Sequence, residues 1–287
     1  MGYTATDTSS DLADICDKHE ELLRQMGDEI SPFPDSKIGV YLSHFRISIE
    51  FLREEMAGRI MSVVSPMAIQ SVSWGKPFIY EVSSSNHQVQ IPVPSNSTLA
   101  NTISESDFLN RPPKFFQKGK ETIWLQILNL DARMDSEIGP IRIILGETLK
   151  REHPDIFKPS LGVAQSLGRK GFPAMLFFNP YALIETPLGS FRAIHGTLSY
   201  GRVTAFPPVG TPVSICECIP LEHIDEIREM MSSLSLTSVP TSVQTTQPLA
   251  RIIGLSHPID MELQVSGEEA FNLVERCIEY GSSDRGS

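Results

Sequence analysis

The sequence predicts a β-rich protein: an antiparallel, jelly-roll-like sheet core with peripheral N- and C-terminal helices. Three observations carry this. Through the middle of the chain, apolar residues alternate with polar ones or gather in short β-branched runs. Pro, Gly, Ser and Asn punctuate those runs, as turns require. Helical spacing of apolar residues returns towards the two ends. The expected organisation is residues 1–36 as an N-terminal helix and acidic arm, 37–236 as the β-rich core domain, and 237–287 as a linker and C-terminal helix.

Residues 9–27, SSDLADICDKHEELLRQMG, read as the first helix. Ser9 or Ser10 can cap it and Gly27 can end it. Leu12, Ile15, Cys16, His19, Leu22, Leu23 and Met26 form one stripe at helical spacing. SPFPDS at 31–36 breaks the chain, and the period then changes to two. Phe45, Ile47, Ile49 and Phe51 alternate with His44, Arg46, Ser48 and Glu50, a half-buried strand. A short polar helix is expected at 52–60. IMSVVS, AIQSVSW, PFIYEVS and HQVQIPV follow as strands, and 93–119 as loop.

TIWLQILNLD at 122–131 is a buried strand, and PIRIILGETL follows a turn. One short helix is expected near 159–168. FPAMLFFNPYALI, FRAIHGTLSYGRVTAF and GTPVSICECI are further strands. PLEHIDEIREMMSSL reads as an amphipathic helix through Leu221, Ile224, Ile227, Met231 and Leu234. TSVPTSVQTTQP at 237–248 is a linker by composition. The closing helix, 267–280, has a capping box at Ser266 and Glu269 and a stop at Gly281.

Bulk composition excludes several classes. Hydrophobic residues are 40% and charged residues 21% of the 287, which is globular and not disordered. Cys16, Cys216, Cys218 and Cys277 fit no zinc framework and are expected as free thiols. The longest apolar run, AMLFF at 174–178, is far below the ~18 residues of a membrane span. The start of the chain has neither the basic nor the apolar region of a signal peptide, so synthesis in the cytosol is expected. MGYTAT fits the acylation pattern at Gly2 and Thr6, with a bulky Tyr3 set against it.

No catalytic pattern emerges. There is no G-x-S-x-G and no H-E-x-x-H, and the glycine patterns lack a strand–turn–helix setting. GTLSYGRV at 196–203 is similar to a strand of acetoacetate decarboxylase-like enzymes, which use a lysine there as a Schiff-base nucleophile. Arg202 stands in its place and cannot form that imine. The expectation is therefore no enzyme, no metal and no cofactor.

Charge is uneven. The net charge is −11, which argues against a uniform nucleic-acid coat. Residues 107–210, however, hold 13 basic against 9 acidic residues, while the remainder holds 11 against 26. The middle is thus mildly basic between acidic ends. The basic residues fall in pairs within expected loops: Arg111 and Lys114, Lys118 and Lys120, Lys150 and Arg151, Arg169 and Lys170. Phe115 and Phe116 lie among the first, as stacking on single strands would require. These eight are the candidate nucleic-acid-binding residues, provided that they converge.

Three ordered segments carry a resemblance. IWLQILNLDARM ends in Asp131 followed by Arg133, GFPAMLFFNPYALIET runs into Pro and Tyr, and GTPVSICECI is a strand headed by Gly and Pro. Over residues 105–219 the chain resembles the 30K superfamily of plant-virus movement proteins. The resemblance implies a jelly-roll core, cooperative binding of single-stranded nucleic acid or viral nucleoprotein, and self-association. It also implies peripheral membrane contact and a place in the host cytoplasm, at plasmodesmata or the cell periphery. Asp131 has a physical reading of its own: a carboxylate closing a buried strand can accept backbone N–H bonds from the following ARMDSE turn. It is expected to be a structural lock and not a catalyst. The leading expectation is a non-enzymatic movement protein. The alternatives are a viral matrix or capsid protein, and a small-molecule enzyme or binder on a β-barrel.

Overall fold

The computed structural model describes residues 21, 24–25, 30–52, 57–81, 88–104, 107, 117–193, 199–211, 214–215, 218–224, 250–256, 258–265 and 269. Three long strands dominate: β1 (Lys37–Phe51), β2 (Ile60–Trp74) and β6 (Glu121–Ser136). Between β2 and β6 come three short strands, β3 (Phe78–Ile79), β4 (Gln88–Gln90) and β5 (Thr102–Ser104). After β6 come β7 (Gly139–Gly146), the helix α1 (Glu147–Glu152), β8 (Ser160–Ser166), β9 (Ala174–Asn179), β10 (Leu183–Thr186) and β11 (Gly189–Ala193). The described chain closes with β12 (Ser199–Val203), β13 (Ser214–Ile215), β14 (Ile219–His223), β15 (Ala250–Ser256) and β16 (Ile259–Leu263).

The β-rich, antiparallel expectation holds. Nearly all of these strands join one sheet, in the order β13-β12-β9-β8-β6-β2-β1-β15-β14-β11-β10-β7, and β4 and β5 form a separate pair. The sheet is not closed as a whole. It nevertheless curls so far that β7, at the end of the path, pairs with the second half of β6 from Asn129↔Gly146 to Ser136↔Gly139. The first half of β6 pairs instead with β8, from Thr122↔Gln165 to Ile127↔Ser160. A jelly roll would call for two facing sheets; this order is that of a single curled sheet.

Period-two patterning explains which face points inward. Ile47, Ile49 and Phe51 of β1 enter the core together with Val72 and Trp74 of β2, and Leu125 and Ile127 of β6. The opposite face of β6 and β8 is covered too. Val89 and Ile103 of the β4–β5 pair, with Ile91 just after β4, pack on Trp124, Leu161, Val163 and Phe177. β8 is consequently buried at every position. That corrects the helix expected near 159–168: a strand covered on both faces loses its alternation, and SLGVAQS carries no periodic signal to read.

Other boundaries shift for tertiary reasons. Of the helix expected at 52–60, residues 57–58 are turn and Ile60 already begins β2, while 53–56 lie outside the described residues. The helix expected from Leu221 gives way to β14 as far as His223, because β14 pairs with both β11 and β15. Most of 9–27 and 267–280 also lies outside, although residues 21, 24, 25 and 269 are helical. The domain limits need correction at both ends. β15 and β16, within the stretch expected as linker and helix, hydrogen-bond along β1. Ser31 bridges Phe172, and the Phe33 ring meets Phe172 edge-on at 4.9 Å.

Candidate functional site

The basic residues that the structure describes, six of the eight, do not gather. Arg111 and Lys114 lie outside the described residues. Lys118 is exposed in the turn before β6. Lys120 is only 4% exposed, and its Nζ donates to the Leu167 carbonyl at 2.6 Å. Arg169 and Lys170 are exposed just after β8, where the Arg169 carbonyl accepts from Glu121 N–H. Lys150 and Arg151 sit on α1, and Lys150 Nζ donates to the Thr98 carbonyl. α1 is tied to Asn129, whose Oδ1 accepts from Thr148 N–H. Eight residues of strand separate Glu121 from Asn129, roughly 26 Å at the usual rise. The two groups thus lie apart, one at the start of β6 and one near its middle, and one of the lysines is buried.

The Asp131 side chain is fully buried, but not as a cap on the following turn. It lies within β6 and accepts from the Arg142 guanidinium of β7, with Nη2 at 2.6 Å. Arg142 also reaches Glu152 at 2.8 Å and Glu185 at 3.4 Å. The hydrogen bonds to Asp131, then those to Glu152, hold the guanidinium more firmly protonated than usual, against its partial burial. The same contact with Arg142 holds the Glu152 carboxyl below the usual carboxylate range. The cluster is organised around an arginine. Among the described residues no group of three or more His, Cys, Asp and Glu could hold a metal ion. The structural role expected of Asp131 therefore has a partner that the sequence reading had not named.

The feature that stands apart is a cavity of about 130 Å³ on the inner face of the curl. Its wall comes from strands distant in sequence: Ile47 of β1, Val72 and Trp74 of β2, Leu125, Ile127 and Leu130 of β6, Ile143 and Leu145 of β7, and Leu176 and Phe178 of β9. Gly162 of β8 lies beside it. A Cβ at that position would sit 2.0 Å from Leu125 Cδ1 and 2.6 Å from Phe178 Cδ2, so glycine keeps both side chains where they are. Pro208 and Thr211 complete the wall from the segment after β12. That segment is anchored by Gly210 N–H on the Ile259 carbonyl at 2.8 Å.

Phe206 of the same segment packs edge-on against Trp74 at 4.1 Å and Tyr41 at 6.1 Å, with Lys37 Nζ 4.6 Å from its ring centre. Burial pushes the Tyr41 phenol far above its ordinary range. Glu262 adds to that rise, and contact with the Trp74 indole opposes it.

Polar groups are sparse in the wall. Ser199 Oγ donates to the Phe178 carbonyl at 3.3 Å. Gln70 is 3% exposed, and its Oε1 is buried without a hydrogen-bond partner among the described residues. Sequence reasoning missed Gln70. The signal was present in AIQSVSW, where Ala68, Gln70, Val72 and Trp74 share a face and only one of the four is polar.

No family model matches the chain, and no curated protein matches it. A solved structure does. It is DynF, from the dynemicin biosynthesis pathway of Micromonospora chersina. The similarity has a TM-score of 0.49 at 10% identity, over 83% of this chain and 87% of that one. The likeness found is to a structure from a biosynthetic pathway and not to a movement protein, and the movement-protein expectation is overturned. Among the described residues the basic side chains also lie apart, without the convergence on which that expectation depended.

Proposed function

We propose that this chain binds a small, predominantly apolar molecule within its curled sheet and performs no chemistry on it. The observation that carries this reading is the apolar cavity of about 130 Å³ on the inner face of the curled sheet. Protein interiors hold few voids larger than a water molecule. An apolar cavity of about 150 Å³ elsewhere stays dry and admits benzene, so this volume suits a body of about one aromatic ring.

Among the described residues, the wall contains no Asp, Glu, His, Lys, Arg, Cys or Tyr. A general acid or base would have to lie within hydrogen-bond reach of a bound molecule. Ser199 is the lining hydroxyl nearest in kind to a nucleophile, and it is committed to a backbone carbonyl. Both points favour a binder over a catalyst.

Titration with benzene, followed by thermal melting and by Trp74 fluorescence, tests the reading. Binding to the folded state raises Tm as benzene concentration rises through Kd. The wild-type protein should respond, and Ala182→Phe, which places a ring at the wall, should not. A wild-type melt indifferent to benzene, with unchanged fluorescence, would overturn it.

A further inference from the structure

We propose that Gln70 reads the polar end of the ligand, so that the cavity selects an apolar body bearing one uncharged hydrogen-bonding head, such as a hydroxyl. This rests on the cavity reading above.

Gln70 occupies an inward position of β2, facing Leu130 across the ladder and sharing the cavity wall with Ile47, Val72 and Leu145. Its amide could have been placed on the opposite face by a one-residue change of register, since strand side chains alternate. Its carbonyl oxygen instead has no partner among the described residues. Buried polar groups are nearly always paired, and an unpaired one is costly enough to call for a reason.

The other polar groups of the wall offer less than Gln70 does. Ser199 donates to Phe178, and Thr211 lies on the segment after β12. The Trp74 indole N–H is, like Gln70 Oε1, buried without a hydrogen-bond partner among the described residues, but it can only donate, whereas Gln70 can do both. The Gln70 head offers one acceptor and two donors from a single plane. A hydroxyl, which both donates and accepts, meets that set. Among the described residues no lining residue carries a charge, and an ion buried without a partner is strongly disfavoured. A carboxylate or ammonium head is therefore excluded from the class.

The test compares benzene, phenol and benzoate by calorimetry on the full chain, as wild type and as Gln70→Leu. One hydrogen bond corresponds to about a tenfold change in affinity. The expected result is that phenol's affinity relative to benzene falls about tenfold in Gln70→Leu, with benzoate binding neither protein. Gln70→Met, closer in length, replaces the leucine variant if that one fails to fold. In the wild type alone, the Gln70 side-chain amide resonances should move with phenol and stay with benzene. If benzene and phenol both bind and their ratio is the same in wild type and variant, the role of Gln70 is overturned while the cavity reading stands. Tight benzoate binding also overturns it. If benzene and phenol both fail to bind the wild type, both readings fall together.

Discussion

Arg142 grips Asp131 from the neighbouring strand, its Nε within 3.0 and 3.1 Å of the two carboxylate oxygens and its Nη2 at 2.6 Å. The carboxylate has no exposed surface, and a second cation, Arg133, stands at 3.7 Å. Removing one partner of such a pair strands the other in a poor solvent. Arg142→Met should lower stability by about 3 kcal/mol, while Arg142→Met combined with Asp131→Leu should recover most of the loss. Urea unfolding midpoints of the two proteins check this. Equal losses in the single and double variants would show that the pair is not the source.

The same guanidinium sets a pH dependence. Glu152 has a folded-state pKa below its unfolded value, chiefly through its hydrogen bond to Arg142. Its contribution to stability is therefore complete above the unfolded value and is lost as pH falls through the folded one. Glu152→Gln should be less stable than wild type near pH 7, and the difference should vanish on acidification below the ordinary carboxylate range. Melting curves of both proteins across that range measure it. A gap that persists in acid would contradict the assignment.

Gly162 determines how much room the cavity has. An alanine methyl there must displace Leu125 and Phe178, and the open direction for both is the void that they line. Gly162→Ala should cost about 1 kcal/mol, at the low end for overpacking, because the void absorbs the added volume. The Tm response to benzene should be abolished. A normal benzene response in a folded Gly162→Ala protein would show that these side chains move elsewhere.

Phe206 is half-buried and rests on Trp74, beside Pro208 in the segment that completes the cavity wall. Phe206→Ala should cost about 2 kcal/mol, less than a fully buried ring. It should also quicken the exchange of a bound aromatic probe. Relaxation-dispersion NMR of the probe would report the exchange rate, and an unchanged rate would mean that ligands enter by another route.

Much of the sheet was legible because its long strands have one face in the core and one towards solvent or a thin cover. Ile47, Ile49 and Phe51 announced β1 by simple alternation. β8 was illegible for the converse reason: with both faces buried, Ser160–Ser166 has no polar phase to set against an apolar one. β14 was read as the start of a helix because Leu221 and Ile224 also fit helical spacing. Only its pairing with β11 and β15, supplied by distant segments, decides for a strand. Asp131 was marked as a structural residue by its place in an apolar strand, but its partner lies 11 residues on, across a register that the sequence does not print. The cavity was least legible of all. It is a difference between the volume enclosed by the strands and the volume of their side chains, and no local pattern encodes such a difference.

The pairing of β1 with β15 and β16 has a consequence for how the chain reaches this structure. β1 begins at Lys37, yet its second edge is not covered until residues 250–263 are available. During synthesis, roughly two hundred residues must be made while that edge of β1 waits, whereas β14, which ends at His223, waits a much shorter stretch for the same strand. Contacts of such long sequence separation slow folding, since chain entropy is lost before pairing can compensate. Unpaired edges invite strands from other molecules in the interval. Chains truncated before Ala250 should therefore associate and aggregate, and the last strands to be made complete the sheet and suppress that association.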